Sequence, residues 1–127
     1  MAATNPGLAR LRKIVGRWPE VTEKISHGAP TFWGGRKTFV AYRNNHHGDG
    51  RRALWIKSTL EAQESLVALD PETFFVPPYV GPSGWVGMRI DRKPDWGRAE
   101  ELLEEAYRSV APARALAALD ASPASGA

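Results

Sequence analysis

Residues 31–57 read TFWGGRKTFVAYRNNHHGDGRRALWIK, three β-rich runs broken by two clusters of turn formers. No other stretch of the chain constrains its fold as tightly. Gly34-Gly35 is a short connection whose glycines supply the positive φ angles of a tight hairpin turn. NNHHGDG, residues 44–50, makes a second hairpin loop before RRALWIK, residues 51–57. Short connections of this kind join antiparallel neighbours, because a parallel crossover needs a dozen residues or more. The run from Val21 to Ser26 adds a strand in front, entering through a His27-Gly28-Ala29-Pro30 bend. TFFV, residues 73–76, is a further strand stopped by Pro77-Pro78. In WVGMRID, residues 85–91, Val86, Met88 and Ile90 alternate with Trp85, Arg89 and Asp91, the pattern of a half-buried strand.

Helices flank these strands. Asn5 and Pro6 suit a helix start, and Leu8, Leu11, Val15 and Trp18 then recur at helical spacing until Pro19. Ser58 and Glu61 form a capping-box pattern for a short helix with Ala62, Leu66 and Leu69 inward, ended by Asp70-Pro71. Asp95 caps the longest helix, from Trp96 to about Val110, with Trp96, Ala99, Leu103, Ala106 and Val110 inward and Glu100, Glu101, Glu104 and Glu105 outward. Pro112 breaks it. The pattern predicts an α+β fold, a single domain over residues 1–114 with an antiparallel β-sheet and helices packed mainly on one face. Residues 115–127 are expected to form a short helical piece and a disordered tail. The chain has no cysteine and no apolar run of roughly 20 residues, so the expectation is a cytoplasmic protein with no membrane association.

Four stretches in register, SHGAPTF (26–32), RKTFVAY (36–42), FFVPPYVGPSGWVGMRID (74–91) and DW with EAYRSVAP (95–96 and 105–112), resemble the MmcQ/YjbR family of small bacterial proteins. The resemblance covers residues from about 8 to 114. It implies an antiparallel sheet backed by helices, the double-wing motif, and DNA as partner. The family's usual glycine-lysine pair before the Thr-Phe strand is Arg36-Lys37 here, so the turn glycines stand one position earlier.

Charge points the same way. Eleven of the 17 Lys and Arg residues fall within residues 1–57, against three acids there. Such asymmetry suggests a basic surface suited to a polyanion. The two hairpin tips concentrate it: Arg36 and Lys37 at the first; Arg43, His46, His47, Arg51 and Arg52 around the second. These seven are the expected contacts to duplex DNA, mostly to phosphates, since no helix rich in Arg, Asn or Gln is aimed at base edges. Seven residues of strand at roughly 3.3 Å each separate the tips by about 23 Å. Arg10, Lys13 and Arg17 form a stripe on the first helix that adds backbone contacts if it faces the same way.

The remaining signals concern small molecules. His27 has no ligand cluster within ten residues, and adjacent His46 and His47 point to opposite sides of an extended hairpin, so no metal site and no cofactor are expected. His27 is expected to brace its bend, with one ring nitrogen bonded to the backbone. No catalytic constellation emerges, and the expectation is a non-enzymatic protein. The alternative function is a binding domain for a planar small-molecule ligand, with a pocket around His27, Tyr79, Trp85 and Arg89. There Gly87 leaves a flat spot between Trp85 and Arg89, and prolines stiffen PPYVGPSG.

Overall fold

The computed structural model describes residues 6–121. Six strands form one wholly antiparallel sheet: β1 (Val21–Ser26), β2 (Ala29–Gly34), β3 (Lys37–Asn44), β4 (Arg52–Ile56), β5 (Phe74–Phe75) and β6 (Val86–Arg89), in the order β1-β2-β3-β4-β6-β5. Four helices accompany it: α1 (Pro6–Val15), α2 (Leu60–Leu69), α3 (Trp96–Val110) and α4 (Ala113–Ala121). The expected α+β architecture is therefore present. Asn5 as a helix cap and the end of the tail lie outside the described residues.

Turn chemistry sets the register. Ser26 pairs with Ala29, leaving a two-residue loop in which His27 (φ 51°) and Gly28 (φ 77°) are both left-handed. Positive φ at both central positions matches the twist of the flanking strands. At the next hairpin the turn is one residue later than the sequence suggested. Gly34 pairs with Lys37 inside the ladder, and Gly35 (φ 76°) and Arg36 make the loop. Gly34 is needed for a different reason: a Cβ there would sit 3.0 Å from Val110 Cγ2 and 3.2 Å from Tyr107 Cδ1. The register also slips by one residue beside Phe32 and Trp33, so that β3 carries Phe39 as an extra residue. A bulge of this kind lets two successive side chains leave on one side. Phe39 and Val40 are both fully buried in the core.

That core lies between the sheet and the helices. Leu11, Val15 and Trp18 from the α1 region meet Phe39 and α3, where Leu103 and Tyr107 are completely buried. Trp18, Phe39 and Tyr107 form a ring cluster with centroids 5.1–6.4 Å apart. Such aromatic contacts add to simple area burial. α3 starts at Trp96 and ends at Val110 as expected, with Asp95 accepting a hydrogen bond from the Arg98 N–H. Its stripe includes Tyr107, whose hydroxyl donates to the Pro19 carbonyl at 2.6 Å across 88 residues. Tyr107→Phe removes only that bond and should lower unfolding free energy by about 1 kcal/mol in urea titrations.

α2 departs from its pattern. Thr59, not Ser58, caps it by accepting from the Ala62 N–H. Leu69 is exposed, while Gln63 is buried because its amide donates to the carbonyls of Gly81 and Trp85 at 2.9 and 2.6 Å. A buried amide satisfied this way ties α2 to the loop before β6. β5 is only two residues long, and Val76 beyond it is exposed. α4 begins at Ala113; its Ala115 is buried, and its Leu119 joins the same core.

Candidate nucleic-acid interface

Strand register sorts the side chains. Val40, Leu54, Ile56, Val86 and Met88 share the helix-packed face; Thr31, Ala41, Ala53, Trp55, Gly87 and Arg89 alternate onto the other. Three cation–aromatic pairs decorate that second face: Lys24 Nζ lies 5.0 Å from the Trp33 ring centre, Arg43 Cζ 4.5 Å from Trp55, and Arg51 Cζ 4.1 Å from Phe75. Each pair holds a cation over a ring by quadrupole attraction. Lys24, Trp33, Trp55 and Phe75 were not singled out by sequence. The alternation of Arg51, Ala53 and Trp55 with Arg52, Leu54 and Ile56 in RRALWIK carries the available signal.

The cations expected to meet phosphate separate into distinct groups. Arg36 and Lys37 are exposed and make no ion pair among the described residues. Their tip does not jut freely, because a Cβ on Gly35 would meet Pro112 Cδ at 2.8 Å and the Gly35 N–H donates to the Glu20 carbonyl. At the second tip the loop is folded down. Asn45 and His47 take left-handed angles around a short 3-10 turn, His46–Gly48. His46 and His47 therefore do not point apart, and their ring centres are 4.1 Å from each other. His46 lies edge-on to Trp55 at 4.8 Å, and His47 Nε2 is 3.3 Å from the Tyr79 hydroxyl. Arg43, stacked on Trp55, donates to the His27 carbonyl at 3.4 Å. Burial pulls its guanidinium below the usual value, opposed by Tyr79. Arg43 and His46 are thus partly covered rather than presented at a projecting tip. Arg51 remains half-buried on Phe75 and Arg52 is exposed.

The α1 stripe also divides. Arg17 pairs with Glu100 of α3, and the neighbouring Arg12 grips Glu23 through Nη2 at 2.7 Å. Arg10 instead lies over Trp96, 5.4 Å from its ring centre. Arg10, Lys13 and Arg52 line one groove of about 500 Å³ with Pro6, Gly7, Ala9, Ile90, Pro94 and Trp96. Three cations meet there with no carboxylate in the lining.

The four residues of the expected ligand pocket do not come together. His27 lines a cavity of about 280 Å³ with Gly28, Ala29, Pro30, Tyr42, Arg43, Asn44 and His46, and Tyr79, Trp85 and Arg89 are not part of it. Phe75 fills the flat spot at Gly87, where a Cβ would come within 2.4 Å of its ring. Arg89 is held by Asp91 at 2.8 Å, and this bond keeps the Asp91 carboxyl below its usual range. The His27 ring makes no hydrogen bond among the described residues; its contribution is the left-handed turn and the carbonyl offered to Arg43. No group of three metal-ligating side chains occurs among the described residues, and no described helix is long and apolar enough to cross a membrane.

His46 is held below the ordinary imidazole value, first by burial, then by His47 and Arg43. A folded-state value below the unfolded one means the unfolded chain takes up the proton more readily. This destabilisation is absent well above pH ~6.5 and grows as the pH falls through that value toward the folded one. His46→Gln should flatten stability between about pH 7 and 5; an unchanged slope in urea titrations across that window would place the linkage elsewhere.

A six-stranded antiparallel sheet with its helices packed against one face makes this a small α+β protein. A family model described as YjbR matches residues 17–109, and the chain belongs to that family. The crystal structure of Deinococcus radiodurans protein DR2400, a DUF419 domain, superposes with a TM-score of 0.65 at 18% identity, covering 79% of this chain and 75% of that one. At that identity the likeness concerns the fold. No curated protein matches the chain.

Proposed function

We propose that this protein binds duplex DNA mainly through its phosphates, at the end of the sheet where the start of β4 lies beside α1. The observation carrying this reading is the groove in which Arg10 and Lys13 of α1 and Arg52 of β4 converge without a carboxylate. Arg51 on Phe75 stands one residue away in sequence and extends the positive surface toward the sheet's other face. Cations that keep their charge uncompensated are the ones that release counterions from DNA; those already paired, such as Arg12 and Arg17, contribute little. Arg36 and Lys37 form a second cationic point at the opposite end of β3. Two points so separated suit a backbone run along a duplex, with few demands on base sequence.

Fluorescence anisotropy of a labelled duplex at several salt concentrations tests the proposal. Binding should weaken steeply with salt, with log K falling by about 0.9 per log unit for each phosphate engaged. An affinity that does not change with salt would sink it.

A further inference from the structure

We infer that the cavity between the β1–β2 turn and the β3–β4 loop is a binding site for a single oxyanion of phosphate size. It goes beyond the phosphate groove, since Arg10, Lys13 and Arg52 do not line it. Three polar groups meet beside it. Arg43 and His46 line the cavity, and Trp55, 2% exposed, lies under both. Arg43 Nε, His46 Nε2 and Trp55 Nε1 are all buried, and none has a hydrogen-bond partner among the described residues. Folded proteins leave only a few such groups per hundred residues, and here three occur together on mutually touching side chains.

All three are donors. Arg43 Nε and Trp55 Nε1 have no acceptor capacity. His46 Nδ1 faces Arg43 Nη1 at 3.5 Å, and a guanidinium only donates, so Nδ1 takes the accepting role. In the neutral ring the proton then sits on Nε2. A cluster of N–H groups with one fixed positive charge calls for an acceptor that is itself negative. A guanidinium beside such N–H groups suits the oxygens of a phosphate, which reach these covered atoms when the Arg43 and His46 side chains part to admit them. The volume of about 280 Å³ limits the ligand to a small group. His27 and Gly28 form one wall through a two-residue turn, and Arg43 Nη1 donates to the His27 carbonyl at 3.4 Å.

The test is a titration of the full-length protein with inorganic phosphate, followed by ¹H–¹⁵N spectra of the Trp55 indole and Arg43 Nε–H signals. Both signals should shift and saturate together. Arg43→Lys keeps the charge but removes Nε–H, and Trp55→Phe keeps a ring but removes the indole donor. Each should weaken phosphate binding by about tenfold, as expected for losing a hydrogen bond to a charged group. Thermal unfolding of both variants establishes that they remain folded. A second titration with a short DNA duplex separates the sources of the anion. Shifts of the same signals, competed away by phosphate, assign the site to a backbone phosphate; phosphate binding without them assigns it to a free anion. Signals that drift without saturating, or a phosphate affinity equal in parent and folded variants, overturn the inference.

Discussion

A double variant, Arg10→Ala with Arg52→Ala, is expected to lose on the order of a hundredfold in duplex affinity near 50 mM salt, because each phosphate contact is worth roughly tenfold there through counterion release. The salt dependence should flatten in parallel, by about 1.8 in the slope of log K against log salt. Both residues are exposed, Arg10 lies over the face of Trp96, and neither makes an ion pair among the described residues. Fold stability should therefore be nearly unchanged, which separates loss of binding from loss of structure. Arg12→Ala is the internal comparison. It lies on the same helix, but its charge is already matched by Glu23, so its removal should cost far less affinity. If Arg12→Ala and the double variant weaken binding equally, net charge rather than the groove controls association. If neither has any effect, the DNA reading of this surface fails.

The largest stability effect is expected at Gly84. This buried glycine ends the turn before β6 with φ 96°, a region that side chains rarely adopt. A Cβ there would stand 2.8 Å from the Leu60 N and 2.9 Å from the Thr59 carbonyl carbon. Those atoms are backbone at the start of α2 and cannot swing aside as a side-chain tip can. Gly84→Ala therefore combines left-handed strain of about 1–2 kcal/mol with overpacking of about 1–3 kcal/mol. A loss near 3 kcal/mol corresponds to a fall in melting temperature on the order of 10 °C. Gly87→Ala offers a useful contrast. Its added Cβ would strike the far end of the Phe75 ring, which can rotate away, so the cost should be smaller although the nominal overlap is greater. Calorimetry that ranks Gly87→Ala as the more damaging would show that Phe75 is held more firmly than the backbone contact.

Local pattern revealed much of the architecture. The bounds of α3, its Asp95 cap, the β3 run and the alternation of Val86, Met88 and Ile90 all follow from side chains within a few residues of one another. Local pattern puts the two-glycine connection one residue early because Gly34 owes its identity to Val110 and Tyr107 of a distant helix, not to the turn. Gln63 does not read as a buried residue from its neighbours, because its partners lie 18 and 22 positions away. The candidate interface was legible as a list of cations, but its membership was not. His46 gave no sign that its loop would fold onto Trp55, since a run of turn formers specifies a bend without saying which surface it meets.

The sequence by itself determined where strands, turns and helices occur, because periodicity and turn preference act through neighbouring residues. Only the tertiary structure decided which charges remain available: Arg17 meets Glu100 and Arg114 meets Glu20, whereas Arg10, Lys13 and Arg52 converge with no acid between them. Coulomb attraction depends on distance through space, and pairs 83 or 94 residues apart acquire theirs only when the helices settle on the sheet.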